Sequence, residues 1–143
     1  MGKKRIVKKG GDKESGKSQP GAGRAPKRKM DSGTLYVEAT YNNTKLVLSD
    51  SAGNVVTWSS SGSLGFAGAK KGTPFAAAKV GELLGERASA MGVREVSVVI
   101  SGVGAGRESS VRAFSTKGIH IANIQDRTPV PHNGPRQKKP RRV

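Results

Sequence analysis

The chain of 143 residues is long enough for one domain of ordinary size. It carries 26 Lys+Arg against 10 Asp+Glu, a formal net charge of +16, and it has no cysteine. Disulfides, thiolate metal sites and cysteine nucleophiles are thereby excluded, no apolar run approaches the ~18 residues of a membrane span, and the basic N-terminus lacks the apolar stretch of a secretory signal.

The charge is uneven. Residues 1–31 hold 11 basic and 3 acidic residues, and residues 127–143 hold 6 basic and none acidic. Residues 32–126 are nearly neutral, at +2, and keep 24 of the 28 Leu, Ile, Val and Phe. We therefore expect a disordered basic arm over 1–32, a globular core over 33–126 and an extended basic tail over 127–143. Such a charge points first to nucleic acid and second to an anionic membrane surface.

In the arm, only Ile6 and Val7 interrupt Gly, Lys, Pro and Ser. Gly11 to Ser18 (GDKESGKS) matches the phosphate-loop pattern GxxxxGK[ST]. That motif needs a strand before it and a helix after it, whereas a polar tail precedes and Gln19-Pro20-Gly21 follows. We read it as a chance match.

Structure is expected from near Thr34. Leu35 to Tyr41 alternates as a half-buried strand, Asn42-Asn43 makes a turn, and Lys45 to Ser49 is a second strand. Asp50 to Gly53 turns into a third strand, Asn54 to Ser59. Trp58 reads as core or rim packing rather than a base-stacking platform. Ser60 to Gly72 is a glycine-rich loop in which Lys70 and Lys71 suit phosphate contact, the plain alternative being a flexible connector.

Thr73-Pro74 reads as N-cap and first helical residue, and a helix runs from there to Gly92. Gly81 and Gly85 weaken it, so packing must hold it. Val96 to Ile100 reads as a strand covered on both faces. Gly102 to Gly106 opens a short helix over Glu108 to Lys117, and Arg107 beside that helix start suits one phosphate. Dinucleotide spacing fails, because Arg107 and Ser109 stand where a glycine or alanine is required. Ile119, Ile121 and Ile124 mark the last strand, ending near Asp126. The order βββαβαβ predicts an α/β fold with a mixed five-stranded sheet flanked by helices.

Catalysis finds little support. His120 and His132 are the only histidines, Asp50 and Asp126 have no partner identifiable by spacing, and the strands offer only Glu38 and Glu95. No catalytic residue, metal ligand or cofactor is expected.

The most specific stretch is Asp126 to Val143 (DRTPVPHNGPRQKKPRRV), where closely spaced prolines force an extended path into a basic end. Together with Tyr41 to Thr44 (YNNT), Gly65 to Ala77 (GFAGAKKGTPFAA) and Gly106 to Ser109 (GRES), it closely resembles bacterial-type ribosomal protein eleven of the small subunit, over Gly33 to Val143. The resemblance implies a ribonuclease-H-like topology without catalytic carboxylates. It implies a cytoplasmic structural constituent of the ribosome that binds small-subunit ribosomal RNA on the platform, bridges several RNA helices and forms part of the Shine–Dalgarno cleft on the messenger exit path. Small-subunit proteins seven and eighteen are the implied neighbours, with initiation factor three a further contact, messenger RNA nearby and no membrane. The expected RNA-binding residues are Asn42 and Asn43, Lys70 and Lys71, Arg107 and Arg112, then His132, Asn133 and Arg136, and finally Lys138, Lys139, Arg141 and Arg142. Against the family pattern, Ser101, Val103 and Ala105 replace a lysine and prolines, Ala67 an arginine and Pro135 a cysteine. The rival reading is a free-standing nucleic-acid chaperone or DNA-compacting protein.

Overall fold

A computed structural model describes residues 29–142. Five strands form one sheet: β1 (Ser32–Ala39), β2 (Thr44–Asp50), β3 (Val55–Ser60), β4 (Glu95–Ser101) and β5 (His120–Asp126). Between β3 and β4 lie a short 3-10 helix (Gly68–Gly72) and helix α1 (Pro74–Ala90), and helix α2 (Arg107–Ser115) joins β4 to β5. The sheet order is β3-β2-β1-β4-β5. The first three strands pair antiparallel, while β4 runs parallel to β1 and β5 parallel to β4. This is the expected α/β fold with a mixed five-stranded sheet.

Both helices pack on one face of the sheet, where alternate residues enter the core: Leu35 and Val37, Leu46 and Leu48, Val96, Val98 and Ile100. Val80 and Leu84 of α1 and Phe114 of α2 close it from the helix side, each of these three fully shielded from solvent. Burying such a side chain stabilises by roughly 1.5–3 kcal/mol. The two helices touch through Gly81, where a Cβ would lie 2.3 Å from the Ser110 carbonyl oxygen. The glycine that weakens α1 as an isolated helix is what lets α2 approach it. An ion pair of 2.9 Å from Lys117 Nζ to Glu86 Oε1 joins α1 to the segment after α2, and that hydrogen bond raises the lysine's pKa.

Several expectations are corrected. The first strand starts at Ser32 and stops at Ala39, because Thr40 turns its hydroxyl onto the Asn43 carbonyl oxygen, 3.0 Å away. Met30 and Asp31, within the expected arm, bond to the core: Met30 N–H donates to the Met91 carbonyl, and the Asp31 carbonyl accepts from Arg94 N–H. The glycine-rich loop contains a turn of 3-10 helix. Strand β4 is not covered on both faces; Val96, Val98 and Ile100 are buried, whereas Ser97, Val99 and Ser101 on the other face are only half-buried. Trp58 is not in the core, since it stands opposite Val47 on the face away from the helices and is 54% exposed. The phosphate-loop-like segment 11–18 and most of the expected arm lie outside the described residues.

Candidate nucleic-acid interface

The strand directions place one set of connections at one end of the sheet. β1, β4 and β5 finish there, β3 finishes there, and β2 begins there. The turn after β1, the glycine-rich loop, the second glycine loop and the basic tail are therefore neighbours. Both helices start at this end, so the positive ends of two helix dipoles and their free N–H groups point the same way.

Close backbone approach holds these loops together. A Cβ on Gly72 would lie 2.1 Å from the Tyr41 carbonyl oxygen, and one on Gly104 would lie 2.2 Å from that of Thr40. Gly104 N–H donates to the Ala39 carbonyl at 2.8 Å. The loop carrying Lys70 and Lys71 is thus seated directly on the turn carrying Asn42 and Asn43. Thr73 caps α1 by accepting from Ala76 N–H at 3.3 Å, with Pro74 as first helical residue. α2 has no side-chain cap. Its N-cap is Gly106 because a Cβ would collide with Thr44 Oγ1 at 2.4 Å and with Ala77 at 2.6 Å.

The sequence-predicted residues divide into groups. Asn42 and Lys70 are exposed, and Asn43 and Lys71 half-buried, all at this end. Asn43 N–H donates to Thr40 Oγ1 at 3.1 Å, so its backbone belongs to the turn. His132, Asn133, Arg136, Lys138, Lys139, Arg141 and Arg142 are exposed along the tail, which bends at His132 and Asn133 with Asn133 at φ 57°. Arg112 stands apart, more than a turn into α2, beside a groove lined by Val111, Ile121 and Ile124.

Arg107 is committed within the chain. Its guanidinium donates to the Gly102 carbonyl, to Thr128 Oγ1 at 3.2 Å and to Asp126 Oδ2 at 2.5 Å. Thr128 in turn donates to Asp126 Oδ1 from its N–H at 2.9 Å and its hydroxyl at 2.6 Å. The hydroxyl of Thr128 and the Arg107 guanidinium hold the Asp126 carboxyl well below the usual carboxylate range. Asp126, without a partner by spacing, thus has two, and together they fix where the tail leaves the sheet.

With only six aromatics in the chain, the sequence leaves recognition by base stacking poorly supplied, yet two of them stand open at this end. Tyr41 is 79% and Phe75 65% exposed. Phe66 meets Phe75 edge to face, with ring centroids 6.2 Å apart, and Lys79 Nζ lies 5.7 Å from the Phe75 ring. The available signal was position: Tyr41 lies beyond the end of β1, and Phe75 follows the first residue of α1, before the buried stripe begins. Among the described residues three buried side-chain oxygens find no partner, on Asn43, Thr44 and Ser109, and all three belong to this end.

The sequence pattern of the family described as ribosomal protein S11 matches residues 33–142. The chain belongs to this family. It is 48% identical over 126 residues to the small ribosomal subunit protein uS11 of Acaryochloris marina, covering 88% of this chain and 97% of that protein. It is 51% identical over 117 residues to the protein of the same name from Solibacter usitatus, covering 82% and 87%, and 48% identical over 120 residues to that of Treponema pallidum, covering 84% and 95%. The chain is accordingly a structural protein of the small ribosomal subunit, at work in translation in the cytoplasm, and not an enzyme. Membership implies ribosomal RNA and other ribosomal proteins as its surroundings.

Proposed function

We propose that the protein binds small-subunit ribosomal RNA through the loop end of its sheet and its basic tail, and so joins separate RNA helices on the platform. The observation that carries this reading is the convergence of four connections, two helix N-termini and Lys70 and Lys71 at the end from which the tail departs. Glycines at 72 and 104 let these loops seat on the turn after β1, so Lys70, Lys71 and Asn42 are held at one end. Tyr41 and Phe75 supply exposed rings for unstacked bases, the usual targets of sequence-specific RNA contact. Arg107 has a positioning role in this reading: it aims the tail, while His132, Asn133, Arg136 and the terminal basic residues make the contacts. Met30 lies at the other end of β1, about 20 Å away by strand rise, and the sequence joined there holds 11 basic residues up to Asp31. Basic sequence joined to both ends of the sheet suits bridging. A place in the Shine–Dalgarno cleft, proteins seven and eighteen as neighbours and initiation factor three as a contact follow the family resemblance.

Crosslinking in cells, with sequencing of the attached RNA and mapping of the crosslinked peptides, tests this. The expected result is attachment of Tyr41, the 70–71 loop and the tail to several separated segments of small-subunit ribosomal RNA. Attachment spread over unrelated RNA or DNA would instead fit the chaperone reading.

A further inference from the structure

The sheet face turned away from the helices carries side chains in direct register: Trp58 opposite Val47, Val47 opposite Tyr36, Tyr36 opposite Val99. Directly opposed residues sit about 5 Å apart, so the row runs about 15 Å across four strands. Tyr36 is 43% exposed, and Val55 stands more open still beside Trp58. Lys45, Val47, Val55 and Trp58 line a surface groove of about 330 Å³. A contiguous apolar patch rimmed by polar groups marks a contact surface.

Charge separates the two classes of partner. Among the described residues this face bears Lys45 with Glu38 opposite it, Glu95 at the start of β4, and Arg127 just beyond β5, whose guanidinium donates to Gln125 Oε1 at 3.2 Å. In a chain of +16 this face carries no excess of base among the described residues. A phosphate backbone laid across it would release few counterions and would meet two carboxylates. Nor is the neighbouring edge free for strand addition at this point, because Arg87 Nη1 donates to the Trp58 carbonyl oxygen at 3.4 Å. Docking onto this row is therefore face-on.

We propose that this face receives another protein of the small subunit, one that lays an apolar stripe across Trp58, Val47 and Tyr36 and offers a lysine or arginine to Glu95. An aliphatic side chain of that partner fills the groove beside Trp58. The inference rests on membership of the small subunit and not on which end binds RNA.

Trp58 is the only tryptophan in the chain, so replacing it biosynthetically with 5-hydroxytryptophan gives a probe of this face that is excited selectively. Quenching by acrylamide is measured for the full chain free, bound to protein-free small-subunit RNA, and in subunits reconstituted with the complete set of small-subunit proteins. The proposal expects full quenching in the first two states and strong protection in the third. Full quenching in the reconstituted subunit would overturn it, and so would protection by RNA alone, which would make the face an RNA platform. The double variant Trp58→Ser, Tyr36→Thr adds a second readout. Its incorporation into subunits should fall on the order of tenfold, as for loss of central interface aromatics, with affinity for naked RNA unchanged. A parallel loss of RNA affinity, with the circular dichroism melt intact, would likewise overturn the proposal.

Discussion

The guanidinium of Arg107 reaches the carboxylate of Asp126 at 2.5 Å, tying the first residue of α2 to the last residue of β5. Nineteen positions separate them in sequence. The pair forms because β4 and β5 run parallel: Ile100 and Asp126 are register partners, and α2 starts just beyond β4. Thr128 completes the arrangement, so the first turn of the tail is structured although the tail beyond it is exposed.

Breaking that arrangement should release the tail without unfolding the core. A partly exposed pair contributes little to global stability, so Asp126→Asn and Arg107→Ala should barely move the thermal midpoint. Tryptic cleavage within 127–142 should speed up and RNA affinity should fall. A large drop in midpoint with unchanged tail cleavage would show that the pair serves the core instead.

The same carboxyl gives a pH signature. Its folded-state pKa is depressed, so its contribution is complete above the ordinary carboxylate value of about 3.9 and is lost as pH falls through the lower folded value. Tail anchoring should be flat around neutrality and weaken only in strong acid. The chain has no cysteine, so a fluorophore on Val130→Cys reports the tail alone. Asp126→Asn should abolish the acid-side transition of that signal.

Lys70→Ala with Lys71→Ala should weaken binding to many RNA sequences alike. Each lost phosphate contact should flatten the log–log salt slope by roughly 0.7–0.9. Filter binding at several salt concentrations decides this, and loss confined to one sequence would contradict a phosphate role.

Gly81→Ala and Gly85→Ala should differ although both glycines lie in one helix. At Gly81 the new methyl would meet the Ser110 carbonyl oxygen at 2.3 Å, with a cost of about 1–3 kcal/mol from forced separation of α1 and α2. At Gly85 the nearest atom is Lys117 Cγ at 2.8 Å, on a movable side chain, and the nearest backbone atom, the Phe114 carbonyl oxygen, is farther off at 3.1 Å, so the strain is smaller though not absent. There the better helix propensity of alanine, roughly 1 kcal/mol, offsets much of the cost. Denaturant midpoints of the two variants should rank accordingly.

Replacing Pro129 and Pro131 by Gly should lower incorporation into small subunits although no charge changes, because a looser segment loses more entropy on docking. Arg141→Gln with Arg142→Gln should act mainly through salt dependence. Equal assembly of the proline variant and the wild type would reduce the tail to a brush of charge.

Much of the fold was legible because local signals agreed with tertiary need. Alternation marked the strands, Thr73-Pro74 marked the start of α1, and Gly92 and Gly118 adopt the positive φ of helix-terminating glycines. The differences have distinct causes. The polar pair Ser32-Gly33 joins the sheet because β2 and β4 flank it, which no local pattern announces. Trp58 read as core or rim packing, and the core alternative fails because its neighbour Ser59 is the buried one, so the alternation already pointed the indole outward. Ile124 is half-open because β5 is an edge strand. In the interface, Lys70, Lys71 and the tail were readable from charge. The role of Arg107 was not, because its partners depend on which strands run parallel.

The placement of charge has a kinetic consequence. The basic sequence up to Asp31 is joined to the start of β1, the basic tail follows β5 at the opposite end of the sheet, and the core between them is nearly neutral. In the field of a large polyanion such a molecule is captured at either end first, and its neutral flank is carried in sideways. Encounter should therefore quicken steeply as salt is lowered. A short RNA hairpin, engaging one end only, would show the same fast capture but would also let go quickly, whereas RNA long enough to reach both ends converts the second contact into an intramolecular step and lengthens the residence time.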